Sequence, residues 1–175
     1  MQRTQEASVE ALVHAVVDAH LRIRDLVRGL AHAKAGGRVE PGARLIGRLA
    51  VHLAAERVAL DPPGSPHPAA LVEHERALTE AVERLDDLGP DGRSFAVPLG
   101  LLADALVRHV DAVERDVLPR FAASHDDADL RRAVEVLGMV DAVDAAEASS
   151  APRELVGFGH RLRELRTLFE EALRG

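Results

Sequence analysis

The sequence predicts an all-α fold, an antiparallel up-down-up-down four-helix bundle extended by two additional C-terminal helices. Three observations carry that expectation. Alanine, leucine, valine, arginine and glutamate dominate the 175 residues, a composition of helices rather than sheets. Apolar residues recur at the three- and four-residue steps of a helix along four stretches of roughly 20 residues or more. Short breaks rich in glycine and proline join these stretches, and short connections favour antiparallel neighbours.

The first helix is expected to begin near Ser8, whose hydroxyl can cap the amides that follow, and to run to about Lys34, where Gly36-Gly37 breaks it. Its inward seam reads Val13, Val16, Val17, His20, Ile23, Val27, Leu30. The second starts around Pro41-Gly42 and is stopped by Asp61-Pro62-Pro63-Gly64. The third opens at Ser65-Pro66-His67-Pro68 and keeps a heptad stripe of Leu71, His74, Leu78, Ala81, Leu85 and Leu88 until Gly89-Pro90-Asp91-Gly92 ends it. The fourth runs from Ser94 or Phe95 to Ala123, with Pro98 able to push its first turn later, and its seam is Leu99, Leu102, Leu106, His109, Val113, Asp116.

These four helices make a unit over residues 1–124, and residues 125–175 form a C-terminal helical hairpin. Its halves, Ala128–Glu147 and Pro152–Arg174, are split by Ala148-Ser149-Ser150-Ala151-Pro152. The first carries Leu130, Val134, Leu137 and Val140 with Asp141 beside its end; the second carries Leu155, Phe158, Leu162, Leu165, Phe169 and Leu173. The hairpin packs on the bundle or on a second subunit, the latter giving a homodimer, and the pattern is compatible with both.

Composition excludes several function classes. The chain has no cysteine, which removes disulfides, thiolate metal sites and cysteine nucleophiles. A net charge of −7 and four Phe with no Trp or Tyr argue against nucleic acid as a partner. Lys34 is the only lysine, and the arginines alternate with acidic residues as on the wet faces of helices. Met1–Glu6 lacks the charged-then-apolar design of an export signal, and no apolar run reaches the roughly 18 residues of a membrane span. A cytoplasmic protein with no membrane partner is expected. Glu-x-x-His pairs, His-Glu-x-x-His, phosphate loops, dinucleotide fingerprints and nucleophile elbows are all absent from the sequence.

The chemistry is carried by His52 and Glu56, four residues apart on the apolar face that also holds Leu45, Leu49 and Leu60. One helical turn separates them, so both point inward, where each needs a partner to offset its lost hydration. A weaker copy follows: His52 and His109 each precede a proline, Pro62 and Pro119, by ten residues. His20 stands on the helix before the first copy and His74 on the helix before the second. If the bundle closes as drawn, His20, His52, His74 and His109 converge with Glu56, and a divalent metal, or two, would satisfy them. Imidazole with carboxylate suits iron, manganese or zinc. A lone seam histidine is more often a hydrogen-bonded core residue; four on successive helices, one with a glutamate at i+4, favour a ligand set. His14, His32, His67, His125 and His160 lack that context and are read as surface or loop residues.

The ordered set resembles the hemerythrin and HHE cation-binding domains over about residues 8–123: Asp18-Ala19-His20-Leu21-Arg22-Ile23-Arg24, then His52-x3-Glu56 with trailing Leu60 and Pro62, then Glu73-His74, then His109 with trailing Leu118-Pro119. The resemblance implies a four-helix bundle enclosing non-haem iron, two ions per chain, that handles or senses dioxygen, peroxide or iron. It assigns His20 and His52 to one iron and His74 and His109 to the other, with Glu56 bridging. Two departures stand out. Val113 occupies the position of a second glutamate after His109, so the carboxylate would fall to Glu114 at i+5, or to Asp116 in reserve; on an ideal helix i+5 lies about 140° from i, and Glu114 would need a local distortion. Leu78 stands where hemerythrins carry a further histidine, which leaves an iron position open to a small ligand and favours chemistry over reversible carriage. Loss of the bridging carboxylate would leave one iron or none. The alternatives are a degenerate, metal-free bundle acting as an interaction or regulatory module, and a di-iron oxidase with an organic substrate.

Overall fold

The computed structural model describes residues 2–61, 69–88, 94–143 and 158–174. Among them every regular element is a helix: α1 (Gln2–His32), α2 (Val39–Leu60), α3 (Ala69–Leu88), α4 (Ala96–Ala112), a π-helical turn (Val113–Val117), α5 (Leu118–Ser124), α6 (Asp127–Gly138) and α7 (Phe158–Ala172). Residues 140–143 are also helical, after a turn at Met139. The expected third-helix start at Ser65–Pro68, the loops at Gly89–Gly92 and Ala148–Pro152, and the positions of His67 and Leu155 lie outside the described residues. No described helix is long and apolar enough to cross a membrane.

The breaks follow local chemistry. Gly36, within the α1–α2 connection, has a φ of +85°, a left-handed conformation that costs glycine little. Asp126 caps α6, its carboxylate accepting the backbone N–H groups of Ala128 and Asp129. Ser8 behaves differently from the expected cap. It lies one and a half turns inside α1, nearly buried, and its hydroxyl donates to Asp127 Oδ1 at 2.6 Å, so it ties α1 to the start of α6. Pro98 is buried in the first turn of α4, where the missing N–H leaves no hydrogen bond unmade.

The central element is α2. Fourteen of its 22 residues are buried, more than the single stripe of a surface helix. Small side chains, Ala50, Ala54, Ala55 and Ala59, let neighbours approach it closely. Those neighbours are α1, α6 and α7, with only a light contact to α3. α3 instead packs mainly along α4, and α1 lies against α2, α4 and α6. The C-terminal helices therefore pack on the rest of the chain: α6 covers α1 and α2, and α7 covers α2 and touches α3.

Each stripe shows what it faces. α7 buries Phe158, Leu162, Leu165 and Phe169, the expected pattern, and Arg166 pairs with Glu75 of α3. α6 buries Leu130, Ala133, Val136 and Leu137. Asp141, just beyond it, meets Arg22 of α1 at 2.9 Å and the nearly buried Arg48 of α2 at 2.7 Å, and the Arg48 hydrogen bond first, then Arg22, holds its carboxyl below the usual range. On α1 the buried line is Ser8, Leu12, Val16, His20, Ile23 and Leu30, with Val13 turned outward.

Phe169 is fully buried on a helix whose partners are α2 and α3. Phe169→Ala is expected to cost about 3–5 kcal/mol of stability, read by urea unfolding, with a single transition for the whole chain. A separate, earlier transition of the C-terminal helices would contradict this packing.

Candidate metal centre

Three helices converge on one carboxylate. α1 supplies His20, α2 supplies His52 and Glu56, and α4 supplies His109; the four residues are 0–1% exposed. Their ligand-capable atoms all lie within 4.8 Å of one another. The carboxylate is shared. Glu56 Oε2 is 3.2 Å from His20 Nε2 and 3.4 Å from His52 Nε2, while Oε1 is 3.1 Å from His109 Nε2. The rings stand edge to face and do not stack, with centroids 5.0, 5.6 and 6.2 Å apart.

Proximity here is not the same as hydrogen bonding. Only His20 Nε2 is aligned with Glu56 as a hydrogen bond. Both nitrogens of His52, both nitrogens of His109 and Oε1 of Glu56 are buried with no hydrogen-bond partner among the described residues. Each such group destabilises a fold by about 1–3 kcal/mol. Donors held about 2.1 Å from a shared ion lie about 3.0–3.5 Å apart when adjacent, and the Glu56 to imidazole separations fall in that range. The four residues could therefore hold a metal ion, and the orphaned donors are the ones it would satisfy.

The electrostatics match. Burial alone would raise the Glu56 pKa, but the close imidazoles, His109 first and then His20 and His52, outweigh it and hold the carboxyl well below its ordinary value. Burial dominates at His52 and lowers its pKa to about 4, Glu56 only partly opposing. A carboxylate that stays ionised beside an imidazole that stays neutral is the protonation state that metal binding requires. At His20 burial pushes down, yet Glu56 and then Glu114 together lift the pKa above its usual value.

Glu114 approaches this group from behind. Its Oε1 accepts from His20 Nδ1 at 2.9 Å, and its side chain is 32% exposed. It reaches there from the π-helical turn Val113–Val117, in which Leu118 N–H bonds to the Val113 carbonyl. That turn has a readable cause. His109, Val113, Val117 and Phe121 are all buried at steps of four, and an α-helix would drift about 40° per step. One extra residue in a wide turn absorbs the drift, keeps the stripe inward and swings Glu114 toward α1. Wide turns of this kind concentrate at functional sites. The distortion that an i+5 carboxylate needs is thus present, although Glu114 faces the outer nitrogen of His20 and is not one of the four clustered donors.

The other candidates fall elsewhere. His74 is half-buried and outside the cluster. α3 leans on α4 and only lightly on α2, and the adjacent Glu75 pairs with Arg166 of α7. Asp116 pairs with Arg120 at 2.7 Å. Val113 is buried among apolar residues. His14, His32 and His160 are exposed, and His125 stacks on Phe121. Sequence reasoning missed that Glu114 meets His20; the run of apolar residues at steps of four is the signal that could have found the wide turn.

The His52 pKa has a consequence for the metal-free protein. Its imidazole stays neutral in the fold down to about pH 4, while the unfolded chain takes up that proton near pH 6.5. Stability should therefore fall as the pH drops from 6.5 toward 4, by about 2–3 kcal/mol from this residue. His20 acts oppositely, its contribution being complete below pH 6.5 and lost only as the pH rises through its raised folded value. Glu56 stabilises the fold above pH 4.5 and loses that effect only as the pH falls through its depressed folded value. Urea unfolding with chelator between pH 6.5 and 4.5 should show the loss in the wild type and a shallower slope in His52→Gln; parallel slopes would contradict it. No protein-family model matches the chain, and neither the curated proteins nor the solved structures give a match, so the reading of this centre rests on its own residues.

Proposed function

We propose that the chain is a hemerythrin-like non-haem iron protein, a four-helix bundle whose buried His20, His52, Glu56 and His109 hold one iron ion and which handles or senses dioxygen, peroxide or iron. The observation that carries this reading is the set of three imidazole Nε2 atoms around one ionised, fully buried carboxylate, with His52 and His109 lacking any hydrogen-bond partner among the described residues. Nitrogen and oxygen donors without thiolate suit iron, manganese or zinc, and the resemblance of the ordered residues to the hemerythrin pattern selects iron among them.

One ion is preferred over two because the donors gather around Glu56 alone. The pair reading needed His74 as a ligand, and His74 lies outside the cluster. Glu56 would supply the anionic oxygens, and His52 would bind without first losing a proton, since burial keeps it neutral. The donors themselves are 0–1% exposed, so bulk water does not reach them. A ferrous ion held by these three imidazoles and one carboxylate would supply one-electron chemistry with a small oxygen-derived ligand.

Anaerobic loading with ferrous iron, followed by metal analysis, tests this. About one iron per folded chain is expected. His52→Ala should lose most of it, and His32→Ala, an exposed residue at the end of α1, should lose none. Two ions per chain would overturn the single-ion reading. A well-folded protein with no metal would favour a metal-free bundle serving as an interaction module.

A further inference from the structure

We infer that Glu114 is the positioning residue of the centre: from the wide turn Val113–Val117 its carboxylate holds His20 by Nδ1, so that Nε2 is the nitrogen offered to the ion. The inference rests on the metal-binding reading above. An imidazole has two nitrogens, and which one binds a metal is set by the hydrogen bond that the other makes. With Nδ1–H donating to Glu114 at 2.9 Å, the proton that His20 would give up to an ion is the one on Nε2, which donates to the Glu56 carboxylate in the metal-free fold. The same bond stops the ring from rotating and makes Nε2 a better donor.

Three further observations assign the role to Glu114. First, His20 is the ring held from behind: Nδ1 of His52 and of His109 has no partner among the described residues. Second, the contact depends on a backbone irregularity confined to five residues, Val113–Val117, placed where a regular helix would turn Glu114 away from α1. Third, Glu56 and Glu114 together carry two negative charges, which balance a divalent ion in an interior where net charge is costly. Glu114 does so from outside the donor cluster. It acts on the ion through His20 and does not touch it.

Titration with Co(II) tests this, because cobalt's visible bands report which atoms ligate it while the titration reports affinity. Glu114→Ala is expected to weaken Co(II) binding about tenfold to a hundredfold and to leave the band positions of the wild type unchanged. Glu114→Gln, which keeps size and an oxygen acceptor for Nδ1–H, should lose less, and it decides the matter if Glu114→Ala folds poorly. Equal affinity in the wild type and both variants would overturn the inference. So would displaced bands in the variants, the sign of a lost ligand. A wild-type protein that takes up neither Co(II) nor ferrous iron would instead sink the metal reading itself, an outcome visible before any variant is made.

Discussion

The structure turns on one carboxylate buried among three imidazoles. Glu56 is ionised in a place that water does not reach, and an unpaired charge there would destabilise the fold by several kcal/mol. Its partners come from α1 and α4 as well as from α2 itself. A shift of one residue in any of these helices rotates its side chains by about 100° and would break the set. The register of three helices is thereby coupled to one polar cluster, which is a stronger constraint than apolar packing provides, since leucines tolerate sliding and a carboxylate among imidazoles does not.

Around that cluster the helices are not equivalent. The repeated histidine-to-proline pattern suggests two matching helix pairs, but α2 and α4 meet different surroundings. α6 and α7 cover α2 from outside and leave it buried on most sides, while α3 lies along α4. Asp141 holds part of this arrangement, joining Arg22 and Arg48 across α1 and α2. Two helix pairs related by a sequence pattern contribute three histidines to the cluster, and His74 lies half-buried outside it.

The wide turn after His109 resolves a conflict within one helix. Apolar residues at steps of four need about 90° per residue, and an α-helix supplies about 100°. A single π-helical turn reconciles the two and has a second effect, bringing a half-exposed glutamate onto the outer nitrogen of His20. Packing and site geometry are served by the same irregularity. In the reading proposed here, that links a core requirement to how firmly the first histidine is presented.

The all-helical class, the helix limits near Gly36 and Asp61, the α7 stripe and the inward direction of His20, His52, Glu56 and His109 were all readable from the sequence. Each depends on local propensity or on the period of a single helix, and a period is a property of the chain alone. The failure of His74 to join, the place of Ser8 against α6 instead of at a helix start, and the attachment of Glu114 to His20 were decided by tertiary structure. They depend on which helix lies against which, on α3 lying along α4 with only light contact to α2, and on a turn whose extra residue fits only once its neighbours are in place. A sequence states which face of a helix is buried; only the packed molecule states what that face meets.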